Sequence, residues 1–184
     1  MNNLSATAFI VPAIALFLVI AGYISLSKRT TNKVEFRNFS LTVITFSMLF
    51  HFAWEMLQMP LFENMSLDWQ TILFCAAATI ADTIMMLLLY YAFAIIYKEP
   101  FWINRLSFLR VLLLVVAGAA GAIAAELRHT SAGSWSYSRS MPLIPAINVG
   151  ISPVLQFMVL PLLVYYLAYQ LVNKRVNKDG HDRE

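Results

Sequence analysis

The chain has 184 residues, of which 60% are hydrophobic and only 12% charged, and its mean hydropathy is +0.68. A soluble domain carries about 45–50% apolar and about 25% charged residues, so the composition excludes an ordinary globular protein. The apolar residues form long continuous runs, not the short alternating segments of a membrane β-barrel. The net charge of +3 does not indicate nucleic acid, because the basic residues cluster beside apolar runs, where orientation and lipid headgroups account for them. The predicted class is all-α: a single polytopic membrane domain, a bundle of five transmembrane helices.

Five apolar runs, at 6–26, 39–61, 71–97, 111–125 and 151–171, are each near the ~20 residues that a spanning helix needs. No positive charge precedes the first run, so it reads as a retained span and not as a cleaved signal. Its lack of polar residues predicts a lipid-facing helix that closes the bundle. A linker with Lys28, Arg29, Lys33 and Arg37 leads to the second run, which Pro60 ends because proline cannot continue the backbone ladder. The third run carries Asp82 near its middle and is followed by Lys98, Arg105 and Arg110. The fourth is short and rich in small residues. Ala117, Gly121 and Ala125 recur there at four-residue spacing, which predicts a close helix contact. A polar loop, 130–148, precedes the fifth run, in which Pro161 predicts a kink, and a basic tail, 173–178, is expected to fray. The alternation of Lys/Arg-rich and Lys/Arg-poor linkers places the N-terminus outside and the C-terminus in the cytoplasm of a cell (inner) membrane.

Within the second run, His51, Glu55 and Gln58 fall in a narrow arc at about 100° per residue. Ser47 extends that stripe and Trp54 flanks it. An ionisable residue inside a span is costly and normally faces a bundle interior or wet cavity, which marks a functional site. In the predicted topology Asp82, Glu126 and the series Asn148, Ser152, Gln156 gather with this stripe in the non-cytoplasmic half. His51 and Glu55, four apart, can form a general acid/base dyad or a polar clamp between helices.

Glu126 and His129 have the E-x-x-H spacing of carboxylate-bridged di-metal bundles, so His51, Glu55, Asp82, Glu126 and His129 make a conceivable mixed ligand set. The competing reading pairs Arg128 with Glu126, and no metal or other cofactor is expected. Trp135 and Tyr137 read either as interface anchors or as part of a lid over the substrate. Cys75, the single cysteine, excludes an intrachain disulfide and reads as a small buried hydrophobe.

His51-Trp54-Glu55-Gln58-Pro60-Leu61, then Asp82, Trp135-Tyr137-Met141-Pro142 and Gly150-Ser152-Pro153-Gln156, resemble a family of small, uncharacterised bacterial multi-pass membrane proteins. Trp54-Glu55 is also similar to the W-E of integral-membrane terpene cyclases, in which an intramembrane Glu and Asp protonate an isoprenoid. That second resemblance implies a lipophilic, isoprenoid-like substrate, cyclised or isomerised by protonation. Glu55, oriented by His51, is then the expected donor and Asp82 or Glu126 the second carboxylate. Trp54, Gln58, Trp135, Tyr137, Asn148 and Gln156 are the expected substrate-binding residues, and the partners are the bilayer and the substrate, with no nucleic acid. A carrier or channel component for a cation, metal ion or small solute is the alternative.

Overall fold

The computed structural model describes residues 7–181, with side chains described over most of that range. Five helices run α1 Thr7–Arg29, α2 Lys33–Gln58, α3 Trp69–Ile96, α4 Phe108–Ser131 and α5 Ile151–His181. Three starts are set locally by side-chain caps that satisfy otherwise unpaired amides. Asn32 accepts from the Glu35 N–H at 3.1 Å, Asp68 from the Thr71 N–H at 2.8 Å, and Ser107 from the Arg110 N–H at 3.4 Å. The Ser66 hydroxyl and the Thr71 N–H hold the Asp68 carboxyl below its ordinary value, so this cap stays charged at neutral pH and is lost only in acid.

Four stretches, Lys33–Leu61, Trp69–Ile96, Phe108–Ser131 and Ile151–Lys174, are long and apolar enough to cross a membrane. Their outward faces carry Leu49, Leu57, Ile80, Leu109 and Leu163 in exposed positions. Such a surface is untenable in water and normal against lipid. The chain is a helical membrane protein.

α2 is the central helix. It packs on α3 and on α5, while α1 lies against α3 and α4 against α5; α4 has no comparable interface with α3. α1 therefore flanks the bundle at α3, with Phe17, Ile14 and Ile20 exposed, and does not close it as expected. The fourth helix is 24 residues long, well beyond the expected 111–125, because Ser107 caps it early and polar Glu126 to Ser131 continue it.

Its packing stripe is also displaced by one residue. Leu114, Gly118, Ala122 and Glu126 are buried, whereas Ala125 is exposed and nothing lies near Gly121. The close approach is at Gly118, where a Cβ would overlap the Phe157 carbonyl oxygen of α5. α5 remains helical through the basic tail expected to fray, to His181, with the buried Pro161 inside it.

The end of the bundle holding the α1–α2 and α3–α4 linkers, the basic end, contains the main core. Phe36, Phe39, Tyr90, Trp102 and Tyr165 are almost wholly buried there, with ring centroids 4.8 Å apart for Phe39–Tyr90 and 4.9 Å for Tyr90–Tyr165. Trp102 belongs to a short 3-10 turn, Trp102–Arg105, that the sequence reading missed. Its indole N–H donates to the Tyr90 carbonyl at 3.3 Å, and the Tyr90 hydroxyl to the Pro100 carbonyl at 2.7 Å. Arg110 fastens this turn: its guanidinium lies 4.4 Å over the Tyr97 ring and donates to the Trp102 carbonyl at 3.0 Å.

The opposite end is the loop end. There the chain between α4 and α5 contains a small antiparallel hairpin, β1 Leu143–Ile144 with β2 Val149–Gly150. It is strapped to the α2–α3 linker: Glu63 N–H donates to the Ser136 carbonyl at 2.9 Å, and Ser138 N–H to the Leu61 carbonyl at 2.9 Å.

Gly118→Ala is expected to force α4 and α5 apart and to destabilise the protein by about 1–3 kcal/mol, the usual cost of overpacking. Gly121→Ala, with open space around it, should be neutral or slightly stabilising. Thermal denaturation of the two variants in the same detergent checks this; equal melting temperatures would refute the assigned interface.

Candidate functional site

The polar residues of α2, α3 and α5 meet near the middle of the bundle and toward the loop end. His51 is fully buried and Gln156 nearly so, at 0% and 1% exposure. The Gln156 amide nitrogen lies 2.9 Å from His51 Nδ1, 3.1 Å from Glu55 Oε1 and 3.2 Å from Asp82 Oδ2. One amide from α5 thus gathers an imidazole, two carboxylates and two further helices around itself. His51 Nδ1 also lies 3.2 Å from Asp82 Oδ2. The expected partner of His51 was Glu55 on its own helix. The structure instead pairs His51 with Asp82 of α3, because the interior neighbour offers the imidazole a carboxylate across the helix interface.

Glu55 is held from the other side by Gln58, whose amide nitrogen donates to Oε1 at 2.9 Å. Both contacts to Glu55 therefore fall on one oxygen. Gln58 in turn accepts from the Ser152 hydroxyl at 2.9 Å, and the Trp54 indole N–H donates to Ser152 at 3.3 Å. Trp54, Gln58 and Gln156, expected to contact substrate, are thus bonded into the network as its supports. Glu55 is half-buried and the Asp82 side chain is 19% exposed. His51 and Gln156 form the buried backing, and the two carboxylates its accessible edge.

His51 Nε2 and Ser47 Oγ, one helical turn apart, are buried without a hydrogen-bond partner among the described residues. A buried polar atom left unpaired costs about 1–3 kcal/mol, a penalty that packing alone does not justify.

Glu126 forms a second centre. It is buried on α4, and its Oε2 accepts from the Trp135 indole N–H at 3.1 Å and from the Tyr137 hydroxyl. Residues two apart in an extended segment point the same way, which is how one short strap supplies both donors. The strap is extended because Tyr137 bridges to Phe62, and Gly150 leaves room for the Tyr137 ring, which a Cβ there would meet at 3.0 Å. Burial first, and then the Glu126 carboxylate, push the Tyr137 phenol upward, so it remains a proton donor throughout the neutral range. The loop thus covers Glu126 and is tied to the α2–α3 linker.

Three expected residues fall elsewhere. His129 stacks on Trp135 with ring centroids 4.4 Å apart, so the Glu126–His129 spacing does not build a ligand pair. Among the described residues no group of three His, Cys, Asp or Glu side chains is arranged to hold a metal ion. Arg128 is exposed and forms no ion pair with Glu126. Asn148 is exposed in the hairpin turn, with a left-handed φ of 53°, and α5 begins only at Ile151.

Reasoning from sequence missed the Glu63–Ser136 contact, in which the Ser136 hydroxyl donates to the Glu63 carboxylate at 2.7 Å. No local pattern announces a contact between residues 73 positions apart.

Glu55, Asp82 and Glu126 are three carboxylates in an apolar bundle. Among the described residues no lysine or arginine forms an ion pair with any of them; His51 is the only basic neighbour seen. A carboxylate in a low-dielectric interior is tolerated only with hydrogen bonds, a proton or a cation in place of the water it lost. Compared with protein-family models, curated proteins and solved structures, the chain has no significant match, so its chemistry is read from this geometry.

Proposed function

We propose that the protein is a membrane-embedded enzyme that acts on a lipophilic, isoprenoid-like substrate by acid–base chemistry, such as protonation-driven cyclisation or isomerisation. In this reading α1, 23 residues long, is a fifth span, since about 1.5 Å per residue carries it across about 30 Å of hydrocarbon. The basic end, with Lys28, Arg29, Lys33, Lys98 and Arg105, faces the cytoplasm of the cell (inner) membrane, and the N-terminus lies outside.

The observation that carries the reading is a carboxylate cluster without a lysine or arginine partner among the described residues, open at its edge and backed by buried donors. Glu55, with Oε1 fixed by two amides, holds an acid proton on Oε2 and delivers it to an alkene carbon. A new C–C bond or a shifted double bond follows, the adjacent C–H gives its proton to the Asp82–His51 pair, and proton exchange with solvent at the accessible edge of the cluster discharges that pair and reprotonates Glu55. The reaction is a net isomerisation and requires no co-reactant. Trp135 and Tyr137 stand over Glu126 and supply aromatic faces toward the developing cation.

A carrier for a cation, metal ion or small solute would use the same carboxylates. It would also need polar groups continuing to the basic end. The packed rings of Phe39, Tyr90, Trp102 and Tyr165 interrupt such a path, which supports a one-sided site.

Glu55→Gln retains an oxygen for both amide donors, so the fold should persist with a melting temperature near that of the parent. Turnover should fall at least about 100-fold, the low end for general acid catalysis. Mass spectrometry of lipid extracts from cells expressing the parent, the variant or neither protein is the test. Identical lipid profiles in all three would overturn the enzyme reading. Elemental analysis of the purified protein is expected to find no stoichiometric zinc, iron or manganese; one equivalent of any of them would recast His51, Asp82 and Glu55 as ligands.

A further inference from the structure

Outside the polar network, an open cavity of about 590 Å³ lies at the loop end, between the start of α3 and the end of α4 with its following strap. Its size is within the range of about 300–1,000 Å³ that small-molecule sites occupy. It is connected to the carboxylates through one side chain. Trp135 forms part of its wall and donates its indole N–H to Glu126, and Thr130, also in the wall, lies one turn from Glu126 on α4.

The lining is chemically selective. Asn64 and Gln70 present amides, Thr71 and Ser134 hydroxyls, and Phe74 and Trp135 aromatic faces. The charge in the wall is negative, from Glu63, and among the described residues no lysine or arginine lines it. Phosphate and carboxylate heads are normally held by arginine or lysine, so an anionic head is disfavoured here and repelled by Glu63. Amides, hydroxyls and aromatic faces without a base suit a neutral group rich in hydroxyls, whose O–H groups bond to the amides while its C–H face lies on a ring.

We propose that this cavity binds the uncharged, hydroxyl-bearing head of a membrane amphiphile, whose apolar body extends into the bilayer beside α3 and α4. The inference rests on the lipophilic-substrate reading above and adds the head chemistry of that substrate. The Trp135 indole then divides the head site from Glu126, so that a head seated in the cavity brings its chain alongside that second carboxylate.

The test uses the full chain in phosphatidylcholine nanodiscs doped with either monoglucosyl diacylglycerol or phosphatidylglycerol of the same acyl chains. Native mass spectrometry reads the retained lipid. About tenfold higher occupancy by the glucosyl lipid is expected, corresponding to one or two hydrogen bonds. Gln70→Leu with Ser134→Ala, at two exposed positions, should bring the two lipids toward parity, and Gln70→Lys should shift the preference to phosphatidylglycerol. Equal occupancy in the parent, a preference for phosphatidylglycerol, retention of neither lipid, or indifference to the double variant would each overturn the proposal. Loss of the head preference with a Glu55-dependent lipid change still present sinks this inference alone. A head preference without any Glu55-dependent change sinks the acid–base reading alone.

Discussion

The structure depends on how a bundle lined with apolar side chains accommodates inward-facing carboxylates that, among the described residues, no lysine or arginine pairs with. Charges in such a place are tolerated only when hydrogen bonds and protons replace the water they lost. Here the replacement comes from amides. Gln156 of α5 touches His51, Glu55 and Asp82 at 2.9 to 3.2 Å, so one side chain links α2, α3 and α5. Those same contacts fix how the helices are rotated about their axes. The site and the helix packing are therefore one arrangement, and neither can shift without the other.

The remaining structure divides into two halves with different physical tasks. At the basic end the interior is aromatic and closed, and the Tyr90 hydroxyl and the Trp102 indole are bonded to backbone carbonyls. The Tyr165 hydroxyl bonds to the Met86 carbonyl at 2.7 Å, and Arg110 seals the Trp102 turn. At the loop end the interior is polar and reached from outside, and the chain between α4 and α5 is strapped to the α2–α3 linker. A rigid closed half supporting a half with partly exposed carboxylates is the arrangement expected when precise positioning must coexist with access. It explains why Glu126 needs the strap, since its two donors come from a loop that would otherwise be free.

α4 shows how small residues serve the same end. Gly118 lets the α5 backbone approach at the Phe157 carbonyl, and Glu126 lies on the same face, two turns further on. That close approach sets α4 against α5 and so sets where Glu126 meets Trp135 and Tyr137. A glycine far from the carboxylate thus controls its position through helix spacing.

Much of this was legible in the sequence. Apolar runs of spanning length, the intramembrane His51, Glu55 and Asp82, and their gathering at one level follow from composition and from 3.6-residue periodicity, both properties of single helices. What periodicity cannot give is rotation about an axis or pairing between helices. It offered Ala117-Gly121-Ala125 as the contact stripe when Leu114-Gly118-Ala122 is buried, because the two differ by one register step that only α5 resolves. It paired His51 with Glu55 along one helix when Asp82 lay across the interface. Trp102 and the Glu63–Ser136 strap left no local trace, since each exists by contact with residues remote in sequence. That polar groups lie inside this bundle follows from the residue pattern of single helices; which of them touch follows from tertiary packing, because hydrogen bonds require ångström-scale placement that only neighbouring helices impose.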